Sequence, residues 1–158
     1  MIILVLIVVI VIGLFIVGCV ADDPTPSDMR LLEACEQANA PRILQLLNEP
    51  LPLSVINGKS SYGATPLMLV CAVGNTQAVQ LLIKRGAKID NKNRDGHTAL
   101  MLACIRGYTD TARVLIAAGA NVNAHSSAGV TPLACAMLSG NNELLSLLVK
   151  SGAKLVGE

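Results

Sequence analysis

The amino-acid sequence predicts an all-α solenoid, a stack of helix-turn-helix units joined by short β-hairpin-like fingers. Two observations carry this reading. Three windows superimpose at a spacing of 33 residues with no gap, beginning at Gly63, Gly96 and Gly129. They read GATPLMLVCAVGNTQAVQLLIKRGAKID, GHTALMLACIRGYTDTARVLIAAGANVN and GVTPLACAMLSGNNELLSLLVKSGAKLV. A fixed period of this length marks an array in which no unit can bury its apolar face alone. Within each window, caps, apolar residues and glycines also fall in the order that two short helices need.

The chain opens on an unbroken run of apolar and small residues from Ile2 to Ala21. Its first charge is Asp22 and its first basic residue is Arg30. The run closes on Ile16–Val17–Gly18–Cys19. There a thiol could take a diacylglycerol, and a small neighbour would let a peptidase cut before it. The segment resembles a bacterial lipoprotein signal. That resemblance implies a signal peptide over 1–18, a lipid on Cys19 and a tether over 19–27, where two prolines and two aspartates suit a flexible spacer. Such a run is also long enough to cross a bilayer as an uncleaved helix. The missing basic n-region speaks for that alternative. The first reading places the protein in a bacterial cell envelope, on the periplasmic side. The second makes it a cytosolic domain on an N-terminal transmembrane anchor.

Residues 28–60 read as a degenerate first unit. Leu31, Ala34, Cys35, Ile43, Leu46 and Leu47 align with the apolar positions of the later windows. About three additional residues fall in Asn48–Ser54, where Pro50 and Pro52 forbid a continued helix and a longer loop is expected. Three full units follow at 61–93, 94–126 and 127–158. Thr65, Thr98 and Thr131 stand where a hydroxyl can cap an inner helix, and Pro66 and Pro132 take the first helical position. Leu67, Leu100 and Leu133 face inward. Gly74, Gly107 and Gly140 end the inner helices. Leu81–Leu82–Ile83, Val114–Leu115–Ile116 and Leu147–Leu148–Val149 are the expected packing faces of the outer helices. In the last of these, Asn142, Glu143, Ser146, Lys150 and Ser151 give a partly polar outer side. Gly86, Gly119 and Gly152, each followed by Ala, stop the outer helices.

This pattern resembles the ankyrin repeat. The match lies in the T-P-L opening, the mid-repeat glycine and the L-L-x-x-G-A close, and it covers residues 28–158. One position departs from the family throughout: its usual His after T-P-L is Met68, Met101 and Ala134 here. If that His bonds between repeats, these fingers are held less rigidly. The resemblance implies a non-catalytic module that binds a protein through its finger tips and concave inner-helix surface. The finger positions are Lys59, Ser61, Tyr62, Ala64, Lys92, Arg94, Asp95, His97, Ser127, Ala128 and Val130. Near the inner-helix ends lie Ala72, Val73, Ile105, Arg106, Leu138 and Ser139. The contact residues expected to matter most are Tyr62, Lys92, Arg94, Asp95, His97, Ile105, Arg106 and Ser127. The partner is an unnamed protein, with the membrane reached through Cys19 or the uncleaved helix.

Composition limits the remaining classes. The net charge is +1, and the one Phe and absent Trp leave a core of Leu, Ile, Val, Ala, Met and Cys. The basic cluster Lys84, Arg85, Lys88, Lys92 and Arg94 is short and lacks interleaved aromatics, so no nucleic acid is expected; a solvated face or an acidic or anionic surface suits it better. Cys35, Cys71 and Cys104 recur at one inner-helix position, and Cys135 falls two residues earlier. Stacked equivalents lie about 10 Å apart, beyond the roughly 7 Å between Cα atoms that a disulfide allows. Buried small thiols are expected, with neither metal nor cofactor. His97 and His125 form no catalytic constellation. Two other roles stay open: an envelope structural or chaperone-like protector of an exported enzyme, and a small hydrolase using these histidines.

Overall fold

The computed structural model describes residues 26–154; the leader over 1–18 and Cys19 lie outside this range. Helix α1 spans Pro26–Glu36 and α2 spans Ala40–Asn48. A single turn, α3, follows at Leu53–Ile56. Three pairs complete the order: α4 (Pro66–Ala72) with α5 (Thr76–Lys84), α6 (Ala99–Ile105) with α7 (Thr109–Ala117), and α8 (Pro132–Ser139) with α9 (Asn142–Lys150). No strand occurs among the described residues. Inner helices α1, α4, α6 and α8 pack side by side, and outer helices α2, α5, α7 and α9 form a second layer.

Local chemistry sets the helix starts. Thr65, Thr98 and Thr131 accept from the N–H groups of Met68, Met101 and Ala134 at 3.4, 3.4 and 3.3 Å. These bonds satisfy donors that a helix start leaves unpaired. Asn39, Asn75 and Asn141 do the same for the outer helices, accepting from Arg42, Ala78 and Leu144, each at 3.1 Å. Tyr108 holds that position before α7 and makes no side-chain cap bond. Its ring lies against the preceding unit instead. A methyl group on Gly74 would come within 2.9 Å of that ring. The turn that ends each inner helix needs a left-handed residue. Gly74, Gly107 and Gly140 supply it with φ near +70°, whereas the first unit uses Ala38 at φ 51°.

Burial follows the register. Leu67 and Leu100 are 1% exposed, and Leu82, Leu115 and Leu148 are fully buried. The thiols of Cys35, Cys71, Cys104 and Cys135 are buried and unpaired. Three expectations need correction. The loop expected over Asn48–Ser54 stops at Pro52, because α3 takes up Leu53 and Ser54 and folds Val55 and Ile56 into the core. The outer triplets pack on the core except at Val149. Only the central leucine of each is covered, its neighbours are half-buried, and Val149 is exposed. Among the finger residues, Ala64 is buried and Val130 is half-buried against the core.

Candidate functional site

Three fingers stand side by side along the stack, and each closes by the same bonds. Ser60, Asn93 and Ser126 recur at the 33-residue period. Their N–H groups donate to the carbonyls of Ala64, His97 and Val130 at 2.9, 3.1 and 2.9 Å. Their side-chain oxygens accept from the N–H groups of those same residues at 3.3, 2.8 and 3.1 Å. This reciprocal pairing makes a hairpin-like loop without a strand. Met68 and Met101, in the place of the family's His, are buried.

Neighbouring fingers are sewn together in two ways. Arg94 N–H donates to the Tyr62 carbonyl at 3.2 Å, and Ser127 N–H to the Asp95 carbonyl at 2.9 Å. Lysines add a second seam. Lys59 Nζ donates to the Lys92 carbonyl at 3.3 Å, and Lys92 Nζ to the His125 carbonyl at 2.7 Å. At the finger roots, Asn57 donates to the Gly86 carbonyl and accepts from Lys88 N–H, at 3.2 and 2.7 Å. Asn123 repeats this with Gly152 and Lys154 at 3.0 and 2.8 Å, while Asp90 accepts from Asn121 N–H at 3.0 Å. The sequence reading passed over this root ladder, although Asn57, Asp90 and Asn123 recur at the same period.

Six of the eight expected contact residues fall on this edge. Tyr62 is 74% exposed. Lys92, Arg94, Asp95 and Ser127 are exposed on the fingers, and His97 is half-buried. The bonds just described join Tyr62 to Arg94 and Asp95 to Ser127. Ile105 and Arg106 lie apart from them, exposed at the end of α6, where Val73 and Leu138 are the corresponding exposed apolar residues of the neighbouring units. Ser61 and Ala128 are exposed as well.

Charge on this edge is one-sided. On the fingers Lys59, Lys92 and Arg94 stand against a single finger-tip carboxylate, Asp95. The ion pair found among the described residues lies elsewhere, between Arg113 and Glu143 at 3.1 Å on the outer helices. It is well exposed, and such pairs contribute little to stability.

Chemical groups do not converge here. No three of His, Cys, Asp and Glu gather as metal ligands among the described residues. His97 and His125 sit on separate fingers. An open cleft of about 360 Å³ includes Thr76, Tyr108, Asp110, Thr111 and Glu143 in its lining, and no finger residue lines it. Within it the hydroxyls of Thr76 and Thr111 bond to each other at 3.0 Å. The thiols behind the groove are held in their neutral form. Burial pushes the Cys35 and Cys104 thiols up to about 12, with smaller additions from Glu36 and Cys135 respectively. Burial also raises Cys71 and Cys135. Unionised thiols are poor nucleophiles.

A family model described as ankyrin repeats in three copies aligns with residues 31–126 and 87–157.

Proposed function

The chain belongs to the ankyrin-repeat family, and from that premise we propose that its finger edge is the face that captures a protein partner. Repeats of this kind form protein-interaction scaffolds, and family membership supports that coarse role directly. One observation carries the finer assignment. The Arg94 N–H bond to the Tyr62 carbonyl fixes two exposed side chains on adjoining tips. Tyrosine and arginine are enriched among the residues that dominate interface energetics, and tyrosine buries much area for little lost freedom.

The module acts at a membrane in this proposal. Its support is sequence alone: the apolar run from Ile2 to Ala21 and the Ile16–Val17–Gly18–Cys19 close. A lipid on Cys19 would hold the repeats at the cell-envelope side, and an uncleaved helix would hold them on the cytosolic side.

The test begins with affinity capture from detergent-solubilised membranes. Tyr62→Ala combined with Arg94→Ala should abolish capture of the stoichiometric partner while helical content and melting temperature stay nearly unchanged. Retained capture would exclude the finger edge. Lost stability would instead mean that Tyr62 serves the fold.

A further inference from the structure

Resting on the protein-binding reading above, we propose that the finger row receives an acidic polypeptide segment in extended form, its carboxylates spaced about three residues apart. The lysine seam is the observation behind this. Lys59 Nζ and Lys92 Nζ are each tied to a carbonyl of the next finger, at 3.3 and 2.7 Å, yet both residues remain exposed. An ammonium has three donors, so each keeps two for a ligand. The seam therefore presents two charges at fixed places, one per repeat, and Arg94 adds an exposed charge on the tip of the second finger. The Arg94 stem is itself positioned, since its Cγ lies 3.4 Å from where a methyl on Gly63 would sit.

Spacing sets the ligand's form. Packed helices lie about 10 Å apart, and a chain in the extended polyproline-II form has three residues per turn and rises about 3.1 Å per residue, so every third side chain falls on one face and meets a lysine. Single-stranded nucleic acid binds instead on rows of aromatic platforms, and the fingers offer only Tyr62. Polarity follows too. By register with Cys35 and Cys71, Glu33 and Glu36 of α1 take the positions of Leu69 and Ala72, and both are exposed. They repel carboxylates from the first inner helix and keep the acidic run over the fingers.

The test uses the full chain in phosphatidylcholine nanodiscs and fluorescence anisotropy. The probe is a labelled peptide of about twelve residues, with Glu at every third position and Leu and Ser between. Binding should weaken about tenfold when Glu becomes Gln, and binding of the Glu peptide should weaken by a similar factor for Lys59→Gln with Lys92→Gln, the two losses not adding. Arginine at both lysine positions should retain it, and added salt should reduce it. Equal binding of the Gln peptide would overturn the proposal. So would preferential binding of oligothymidylate or of phosphatidylserine vesicles through the same two lysines. If the acidic peptide fails while the captured partner still depends on Tyr62 and Arg94, the acidic ligand is wrong and the protein-binding reading stands.

Discussion

Replacing Gly96 with alanine separates the cost of a turn from the cost of a joint between repeats. Gly96 and Gly129 hold the same place in successive fingers, with φ of +76° and +75°. An alanine at either must adopt the left-handed region, which costs about 1–2 kcal/mol. Their surroundings differ. A methyl on Gly129 meets nothing within 4 Å. On Gly96 it would overlap the Ser127 backbone nitrogen and lie 2.8 Å from its Oγ and 3.0 Å from the Ser126 carbonyl carbon. Two of these three atoms belong to backbone, so no side chain can swing clear. The third finger must move away, and the Ser127 N–H bond to the Asp95 carbonyl at 2.9 Å breaks. A lost bond of this kind costs about 1 kcal/mol, and displacing packed backbone adds to it. Gly129→Ala should therefore cost about 1–2 kcal/mol and Gly96→Ala about 3 kcal/mol or more. For a domain of this size each kcal/mol shifts the melting temperature by roughly 3–6 °C. Urea denaturation of both variants beside the parent reads the difference. Equal losses within error would mean that the second and third fingers do not meet as described.

Further outcomes follow from the packing and from the N-terminal sequence. Leu100→Ala should destabilise by about 2–5 kcal/mol in chemical denaturation, because Leu100 is 1% exposed in the core between two neighbouring units. Ala38→Gly should stabilise by up to about 1 kcal/mol in the same assay, since it relieves an alanine held at φ 51°. Thiol-reactive dye at pH 8 should label Cys35, Cys71 and Cys104 far more slowly in the folded chain than in guanidinium. Their raised titration also means that the stability they hold is full below pH 9 and lost as pH climbs towards 12; a pH-independent denaturation midpoint across that window would contradict it. For the proposed membrane anchor, Cys19→Ser should abolish metabolic acyl labelling and leave an unprocessed precursor, whereas a mature chain with intact Met1 and no lipid would favour the uncleaved helix.

Legibility in the sequence tracked how local each cause was. Thr65, Thr98 and Thr131 were readable because a cap is a contact across three residues, and Gly74, Gly107 and Gly140 because a turn needs one residue's φ. Their 33-residue recurrence then gave the stack. Helix α3 was not readable. A four-residue turn after two prolines has no periodicity of its own, and it exists because Val55 and Ile56 find the core. The asparagine caps of the outer helices were obscured by Tyr108, which breaks their recurrence to pack on Gly74. The lysine seam was hidden for a different reason: where a long flexible side chain lands depends on the next repeat, not on its own. Exposure of Tyr62 and Arg94 could be expected from their place beside the opening glycines. Their shared bond required the stack itself.

The two tyrosines make this molecule its own optical instrument. With no tryptophan in the sequence, all aromatic emission of use comes from Tyr62 and Tyr108. They report on separate events. Tyr62 stands out from the finger edge, so a ligand changes its polarity and quenching without the fold altering. Tyr108 leans on Gly74 across a repeat boundary, so its signal changes when two repeats part. Tyr62→Phe leaves a probe of stack integrity alone, and Tyr108→Phe leaves a probe of the binding edge alone. Occupancy and unfolding can thus be followed in one cuvette without a label.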